Sequence, residues 1–353
     1  MDDRLLLQDH LDRHAGGHPR GEAVAEVVIG LAEAAIDVAE TVSLGALSGI
    51  ERRERGQNAG GDTQNDMDVW THELFRAALQ ACPVAAFASE EADELEVWDP
   101  ARPLCVAIDP LDGSANVDVN MPVGTIFSIV PTPSGLAGPK AAAGGCVWPA
   151  GSAQLAAGFA VYGPQTMLVL TLGEGVDVFT LDRRHRIFRL TRANVRIRAG
   201  SHSEYAINAS NYRHWEKPVR TFIDEHLAGA EGPLGRDFNM RWHGALVADT
   251  YRVLTRGGIY LYPADARAGY GQGRLRLIYE ANPMALLIER AGGSASDGRG
   301  RILDLVPRAL HQRVPLILGP SEQVERLEAL HNRPGLWPQA APPLFATRSL
   351  FQV

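Results

Sequence analysis

The sequence predicts an α/β protein whose mixed β-sheets are covered by helices. Apolar residues near the N-terminus recur at helical spacing, the middle of the chain carries short buried strands separated by turn residues, and strand and helix patterns alternate in the second half. The 353 residues are 45% apolar and 22% charged, as in soluble globular proteins. At ~150 residues per domain, a chain of this length is expected to form about two domains.

The N-terminal half is expected to begin with two helices and to continue as strands. Apolar positions at helical spacing predict an amphipathic helix over 22–48. A polar stretch from Ser48 to Thr63, expected to be mobile, separates it from a second helix between about Thr63 and Ala81, which Asp62 could cap. The strands expected after these helices cover 84–88, 104–108, 123–130 and, with glycine turns, much of 141–190.

The C-terminal half is expected to alternate strand and helix after a polar boundary near 191–205. Its predicted elements are strands at 258–262, 274–280 and 315–318 and helices at 283–291 and 321–330. This organisation predicts an N-terminal α/β domain over 1–195, a C-terminal α/β domain over 196–335 and a loosely packed tail over 336–353.

Charge and cysteine content indicate the kind of partner. Thirty-four basic and 42 acidic residues leave a net charge of −8, which disfavours nucleic-acid and membrane partners. No apolar run reaches the ~18 residues that span a bilayer, and the charged N-terminus lacks a signal-peptide core, so a cytoplasmic location is expected. The three cysteines show no C-x-x-C spacing, so neither a disulfide framework nor a cysteine metal site is expected. The 11 histidines are scattered along the chain, and no metal site of histidine is expected.

The strongest chemical signal is the segment Asp109–Asn116. A buried strand ends at its first aspartate, a proline sets a tight turn, and a second aspartate, Asp112, follows three residues later. The two carboxylates, with the Leu111 carbonyl between them, can converge on a hard divalent cation such as Mg²⁺. The backbone N–H groups of Gly113 and Ser114 can then hold a phosphate. The structural alternative is an Asx-turn with a capping aspartate.

Two further groups of acidic residues lie near predicted element ends. Glu90 and Glu91 follow the strand predicted over 84–88, and ligands gather at the carboxyl ends of strands in α/β sheets. The alternative for this pair is a solvated surface. Three aspartates lie between positions 62 and 68, next to the polar stretch, and helix capping by the first of them is the alternative to a catalytic role.

The segment 274–280 predicts a strand that carries charge to the start of a helix. Period-two geometry places Arg274, Arg276 and Glu280 on one face of that strand. Asn282 is a suitable N-cap, so Glu280 is expected at a strand-to-helix junction with two arginines on its own face. Together with Arg267, these arginines are expected to face a substrate, and a structural ion pair is the alternative.

Several longer strings resemble class I fructose-1,6-bisphosphatases, members of the Mg²⁺-dependent, lithium-sensitive sugar-phosphatase superfamily. They are 109–116, 123–127, 257–263, 275–285, 291–293 and 307–319, in order over roughly residues 20–331. The resemblance implies the sugar-phosphatase fold, with alternating layers of helices and mixed sheets, and hydrolysis of D-fructose 1,6-bisphosphate in gluconeogenesis or the Calvin cycle. The alternatives are a sedoheptulose-1,7-bisphosphatase or bifunctional enzyme, an inositol-type monophosphatase, and a catalytically inactive sugar-phosphate sensor.

The resemblance also implies roles for individual residues. The residues that match ligands of two or three Mg²⁺ ions, with Mn²⁺ as a substitute, are Glu90, Asp109, Leu111 through its carbonyl, Asp112 and Glu280. Those that match residues around the attacking water are Asp62, Asp68 and Glu91. Those that match substrate-binding residues are Asp112, Gly113, Ser114 and Ala115 at the 1-phosphate and Asn208, Tyr262 and Arg274 at the sugar and 6-phosphate. Arg241 matches an arginine that reaches the neighbouring site in a homotetramer.

The sequence departs from the family pattern around both phosphates and at the effector region. Ala115 stands where serine is usual, Arg274 where lysine is usual, and Trp242 where tyrosine is usual. The string of the family's AMP site is replaced by Arg20-Gly-Glu-Ala-Val24, and Pro103-Leu104 replaces a Lys-Tyr pair. These differences imply an altered effector region in the N-terminal domain and weak or absent inhibition by AMP.

Overall fold

An eight-stranded β-sheet organises the N-terminal half of the computed structural model, which describes residues 4–18, 20–50, 54–57, 63–138, 146–197 and 203–333. Its strands are β3 (Val84–Ser89), β4 (Glu96–Val97), β5 (Leu104–Asp112), β6 (Val123–Pro131), β7 (Ala156–Tyr162), β8 (Thr166–Thr171), β9 (Asp177–Asp182) and β10 (Ile187–Arg192), in the order β10-β9-β8-β7-β6-β5-β3-β4. β3 and β5 run parallel, and the other neighbouring strands run antiparallel. Two short strands, β1 (Glu54–Gln57) and β2 (Thr63–Asn65), pair separately.

Helices cover one face of this sheet. They are α1 (Leu7–Ala15), α2 (Gly21–Leu44) and α3 (Asp66–Gln80). The apolar stripe of α2, which includes Val27 and Val38, is fully buried in one core with Phe87 of β3 and Ile108 of β5. The helix ends at Leu44, before Gly45, whose φ of 53° leaves the helical region. The predicted helix over 22–48 therefore exists, and its last four residues form a short 3₁₀ turn.

A five-stranded mixed sheet organises the C-terminal half. Its strands are β11 (Glu204–Ala206), β12 (Asn239–Met240), β13 (Ile259–Tyr262), β15 (Ser294–Ser296) and β17 (Leu316–Gly319), in the order β12-β11-β13-β17-β15. A separate pair is formed by β14 (Leu275–Arg276) and β16 (Arg313–Val314). The remaining helices are α4 (Lys217–Leu227), α5 (Leu246–Arg256), α6 (Asn282–Arg290) and α7 (Ser321–Asn332).

The helices and sheets stack in alternating layers. The apolar sides of α5 and α6 share one core with residues of both sheets, so these two helices lie between the sheets. The helices α4 and α7 pack on the other face of the five-stranded sheet, where Phe222 and Leu327 are fully buried. The layered α/β architecture predicted from the sequence is therefore present. Among the described residues, no helix is both long and apolar enough to span a membrane.

The start of α3 differs from the prediction. Residues 63–65 pair with β1 as a strand, so the helix begins at Asp66 rather than near Thr63. Its N-cap is Asn65, whose side chain accepts hydrogen bonds from the backbone N–H groups of Met67 and Asp68. Asp68 completes a capping box by accepting a hydrogen bond from the Asn65 N–H at 2.8 Å. The predicted cap, Asp62, and the predicted tail over 336–353 lie outside the described residues.

The strand predicted over 274–280 is wrong beyond its first residues. Extended pairing covers only Leu275–Arg276, and the chain then forms a π-helical turn over Leu277–Ala281 that continues into α6. The Glu280 carboxylate accepts a hydrogen bond from the Arg276 backbone N–H, which holds the wide turn closed. Asn282 accordingly lies inside the helical stretch and is not an N-cap. Residues 275–280 are all buried, so alternation of side chains no longer separates a core face from a solvent face.

Candidate active site

Three carboxylates from separate elements converge at one end of the central sheet. Glu90 directly follows β3, Asp109 lies in β5, and Glu280 lies in the π-helical turn before α6. One oxygen of each lies within 4.8 Å of one oxygen of the other two. Glu90 and Asp109 meet because β3 and β5 are parallel and pair Ser89 with Ile108, the residues just before them. The turn at Glu280, rather than a strand face, brings in the third carboxylate.

The negatively charged carboxylates in this cluster repel one another. Burial raises the pKa of Asp109 well above its usual value of 3.8, and the charges of Glu90, Asp112 and Glu280 raise it further. Burial and Glu90 likewise raise the pKa of Glu280. The buried Arg276 supplies a counter-charge, with Nη2 at 3.5 Å from Glu90 Oε1. A set of oxygen ligands with excess negative charge fits a hard divalent cation, because the cation would neutralise that charge.

Asp112 is held differently from its neighbour Asp109. Its Oδ2 accepts a hydrogen bond of 2.8 Å from the backbone N–H of Val247 in the first turn of α5, and the N–H of Leu246 also contributes. Burial raises the pKa of Asp112 to about 6, although these two hydrogen bonds lower it. The Leu111 N–H donates to Asp109 Oδ1 at 3.0 Å, so the Asx-turn that served as the structural alternative is present beside the carboxylate cluster.

A loop that offers backbone N–H groups follows Asp112. Gly113 has a φ of 73°, and a Cβ there would lie 2.6 Å from the Cβ of Ala245, so a larger residue fits neither the backbone nor the space. Residues Ser114–Val119, including the exposed Ala115, form a 3₁₀ helix after it. Asn116 fixes this loop by donating from Nδ2 to the carbonyls of Pro122 and His243, at 3.1 and 3.0 Å.

Two further acids border this loop. Asp68 is 2% exposed, and burial raises its pKa to about 7, with a smaller contribution from the charge of Glu91. A hydrogen bond from the Ser114 side chain lowers that pKa and links α3 to the loop. Glu91 accepts a hydrogen bond of 2.7 Å from Gln64 Nε2 of β2. The structure therefore brings Asp68, Glu91 and Ser114 together.

The residues predicted to bind the sugar lie at the end of β13. Tyr262 is the last residue of this strand. Burial raises the pKa of Tyr262, and the nearby positive charge of Arg274 acts in the opposite direction. Arg274 lies 4.7 Å from the ring centre of Tyr270. Asn208 caps a 3₁₀ helix over Ala209–His214 and accepts hydrogen bonds from Ser210.

The predicted basic face of Arg267, Arg274 and Arg276 forms only in part: the guanidiniums of Arg267 and Arg274 both lie over the ring of Tyr270, 4.0 and 4.7 Å from its centre. Arg267 makes hydrogen bonds to Asp265, and Arg276 is 1% exposed and lies behind Glu90. Arg276 thus belongs with the carboxylates, in the structural ion pair that was the alternative to substrate binding.

Arg241 and Trp242 take opposite directions at the edge of the five-stranded sheet. Arg241 is exposed, and its Nη1 donates to the backbone carbonyl of Met240 at 2.9 Å. The Trp242 ring is stacked on Tyr260, with ring centres 5.7 Å apart and planes 6° apart, and also contacts Tyr262. Trp242 therefore borders Tyr262, whereas Arg241 lies on the outer surface of this chain.

One buried pair near the loop was not anticipated. Asp249 is 1% exposed and accepts a hydrogen bond of 2.7 Å from His243 Nδ1. His243 is also the residue whose carbonyl receives the Asn116 amide. Helix α5, which carries Asp249, is absent from the predicted elements, although its buried residues Leu246, Thr250, Val253 and Leu254 follow helical spacing.

Two family models cover nearly the whole chain. The "Fructose-1-6-bisphosphatase, N-terminal domain" model matches residues 11–193, and the "Fructose-1-6-bisphosphatase, C-terminal domain" model matches residues 199–332. The chain belongs to the fructose-1,6-bisphosphatase family. The predicted family and the predicted class of enzyme, a phosphoric monoester hydrolase, are confirmed.

Curated relatives and solved structures agree with this assignment. The chain is 55% identical over its full length to the class 1 fructose-1,6-bisphosphatases of Nitrobacter vulgaris and Bradyrhizobium diazoefficiens, and the full length of each relative is matched. The holo crystal structure of Leishmania major fructose-1,6-bisphosphatase superposes with a TM-score of 0.84 at 32% identity, covering 94% of this chain and 99% of that chain. The predicted sugar-phosphatase fold is confirmed, and the family is metal-dependent.

Proposed function

We propose that this fructose-1,6-bisphosphatase family member hydrolyses the 1-phosphate of D-fructose 1,6-bisphosphate and releases fructose 6-phosphate and inorganic phosphate. The observation that carries the proposal is the convergence of Glu90, Asp109 and Glu280 beside the Gly113–Ala115 loop. Buried carboxylates that repel one another are unfavourable by themselves, so a chain without the reaction would have no use for them. This argues against an inactive sugar-phosphate sensor.

The carboxylate cluster fits two or three Mg²⁺ ions, with Mn²⁺ as a substitute. Glu90, Asp109 and Glu280 would hold them, with Asp112 and the Leu111 carbonyl on the side of the loop. When bound, such ions acidify a water molecule and offset the negative charge on the ester oxygen that leaves. The donor set supports this assignment because it consists of oxygens alone, in a buried site with excess negative charge.

The chain's own residues would bind the substrate and accept the proton. Backbone N–H groups of Gly113, Ser114 and Ala115 would hold the 1-phosphate next to Asp112. Asp68 would accept a proton from the attacking water as the water oxygen bonds to phosphorus and the phosphorus–O1 bond breaks. The sugar oxygen O1 would leave as an alkoxide and take up a proton from solvent water, which gives the hydroxyl of fructose 6-phosphate. A pKa of about 7 suits a base that works near neutral pH. Glu91 and Asp62 would orient that water.

The other end of the substrate would lie against β13. Tyr262, Arg274 and Asn208 would bind the sugar and its 6-phosphate, since a planar guanidinium grips phosphate well. The exposed Arg241 would complete the neighbouring site in a homotetramer. Cytoplasmic location and a division into two domains at residue 195 belong to the same proposal, and the gap between the matched ranges 11–193 and 199–332 supports the division.

Phosphate release from fructose 1,6-bisphosphate and sedoheptulose 1,7-bisphosphate, measured side by side with Mg²⁺, tests the proposal. Asp109→Asn is the inactive variant, and Glu325→Gln, on the exposed side of α7, is the matched control that should retain full activity. We expect the wild type to release phosphate from fructose 1,6-bisphosphate and Asp109→Asn to release none. Comparable release from the seven-carbon substrate would identify a bifunctional enzyme. A folded protein that binds Mg²⁺ and releases phosphate from neither would refute the proposal.

A further inference from the structure

Three histidines lie together at the N-terminus, on the helix side of the central sheet. His10 and His14 are one helical turn apart in α1, so both side chains project from the same face of the helix. His18 follows four residues later, and its ring stacks on His14 with centres 4.5 Å apart. The sequence carries the H-x-x-x-H spacing twice here, and the expectation that histidines bind no metal did not take it into account.

Two acids from the sheet face this histidine cluster. His10 Nε2 lies 3.2 Å from Asp177 Oδ2 at the start of β9. Glu174 lies in the preceding turn, and its negative charge acts to raise the pKa of His14. The side chains of His10, His14, Glu174 and Asp177 line a cavity of about 320 Å³ between α1 and the sheet. The side chains of His10 and Asp177 remain 22% and 18% exposed, so small ions can reach them.

The donor set differs from that of the active site in a way that selects another class of metal. Imidazole nitrogens together with a carboxylate are ligands that Zn²⁺ and neighbouring transition metals prefer, whereas Mg²⁺ prefers oxygen. Two histidines four residues apart on one helix form a common half of such sites. Burial lowers the pKa of His14, and the nearby His18 and His10 lower it further, so its ring is neutral and able to bind metal at pH 7.

We propose that His10, His14 and Asp177 form a second metal site that binds a divalent transition-metal ion such as Zn²⁺. Among the described residues, only the catalytic cluster has three candidate ligand atoms within 4.8 Å of one another, so the side chains of the second site must move closer together to bind a metal. His10 and Asp177 already lie 3.2 Å apart, so a movement of His14 between staggered side-chain rotamers would supply the third ligand. Water completes the coordination, since the cavity opens to solvent.

The bound ion would join α1 to the central sheet. His10 and His14 belong to the helix, whereas Asp177 belongs to β9, so one ion would add a link between two elements that already meet where the His10 ring packs on Phe179, with ring centres 5.3 Å apart. An ion that binds the folded chain more tightly than the unfolded chain also raises the melting temperature. The proposal does not depend on the catalytic function, because no residue of the active site takes part.

Electron paramagnetic resonance with Cu²⁺ as the probe distinguishes the two sites, because ligand nitrogens produce hyperfine lines and the carboxylate cluster offers oxygen ligands only. The chain is titrated with Cu²⁺ and, separately, with Zn²⁺ by calorimetry, as wild type, His10→Gln, His14→Gln and Asp177→Asn. His185→Gln is the matched control, since His185 also contacts an aspartate, Asp182, at 2.9 Å but has no histidine one turn away.

The expected result is one nitrogen-ligated Cu²⁺ per chain and a Zn²⁺ affinity that each of the three substitutions weakens at least about tenfold, or about 1.4 kcal/mol. His185→Gln should bind like the wild type. Circular dichroism confirms that the variants are folded. Copper spectra without nitrogen lines, or nitrogen lines that persist at equal affinity in His10→Gln and His14→Gln, would overturn the proposal, whether or not the chain hydrolyses sugar phosphates.

Discussion

Replacing Asp109 by asparagine should stabilise the metal-free protein while it abolishes activity. Asparagine has nearly the same shape, and its Oδ1 can still accept the hydrogen bond from the Leu111 N–H. Its amide carries no charge and can donate to the carboxylates of Glu90 or Glu280, whose oxygens lie within 4.8 Å. The substitution thus removes repulsion that the folded protein otherwise bears without metal.

The size of this effect follows from proton binding. An aspartate whose usual pKa is 3.8 must take up a proton or remain repelled in the folded, metal-free state at pH 7. Keeping it protonated at pH 7 costs up to about 4 kcal/mol, at about 1.4 kcal/mol per pH unit. For 353 residues the unfolding entropy is about 0.7 kcal/mol per degree, so a gain of about 2–4 kcal/mol raises the melting temperature by about 3–5 °C.

The stability of the metal-free wild type should decrease as the pH rises from 4 to 7. A raised pKa in the folded state means that the folded wild type binds more protons than the unfolded chain, so its stability increases as pH falls from 7 towards 4. The advantage of Asp109→Asn should therefore be largest near pH 7 and shrink at pH 5. Thermal unfolding in the presence of a chelator, followed by circular dichroism, measures both effects.

Added metal reverses the comparison. At a Mg²⁺ concentration 100 times its dissociation constant, binding should stabilise the wild type by about 2.7 kcal/mol. Asp109→Asn should gain far less, because it lacks one of the converging carboxylates. The control Glu325→Gln should melt at the same temperature as the wild type. If metal-free Asp109→Asn melts at a lower temperature than both at pH 7, the idea that the cluster carries uncompensated charge is refuted.

Three other substitutions test the rest of the site. Gly113→Ala should lower stability by about 1–3 kcal/mol, because φ is positive there, and should raise KM; unchanged melting and kinetics would contradict the tight approach at this loop. Because the pKa of Asp68 is about 7, kcat should fall as the pH drops below neutral. Ser114→Ala removes a hydrogen bond that lowers this pKa, so it should move the acidic limb of the pH–rate profile to higher pH by about half a unit. An acidic limb that does not move would exclude Asp68 as the base. His243→Asn keeps a donor near the position of Nδ1 and should preserve KM, whereas His243→Gln should raise it about fivefold in steady-state assays; equal KM values would show that the contact with Asp249 does not position the loop.

The sequence predicted those parts of the molecule that depend on local patterns. The apolar periodicity of α2 predicted that helix, and the buried runs of β3, β5 and β6 predicted those strands. The predicted strands placed Glu90 and Asp109 at the carboxyl ends of β3 and β5, and so at the same end of the sheet. The turn that carries Glu280 was beyond reach, because its form depends on a hydrogen bond between the Arg276 backbone and a buried carboxylate. Alternation of polar and apolar residues has no meaning where both sides of a segment are buried.

The roles of individual charged residues were less predictable than their positions. Arg276 has the same sequence spacing as an exposed arginine, and only the packing around Glu90 makes it a buried counter-charge. Asp66 and Asp68 are similar in sequence, yet Asp68 is buried and helps to cap α3, whereas Asp66 contacts Arg55. Such distinctions arise from tertiary contacts more than forty residues away or from the exact start of a helix.

The hydrogen bond between Asp112 and the first turn of α5 has a mechanical consequence. Asp109 and Asp112 both belong to β5 of the central sheet, but Asp112 is also tied to a helix that lies between the two sheets and starts 134 residues further along the chain. A sliding of α5 by a fraction of an ångström would therefore act on Asp112 more directly than on Asp109. The distance between these two aspartates therefore reports the relative position of the two halves, so a distant event that shifts the halves can alter the metal site without contacting it.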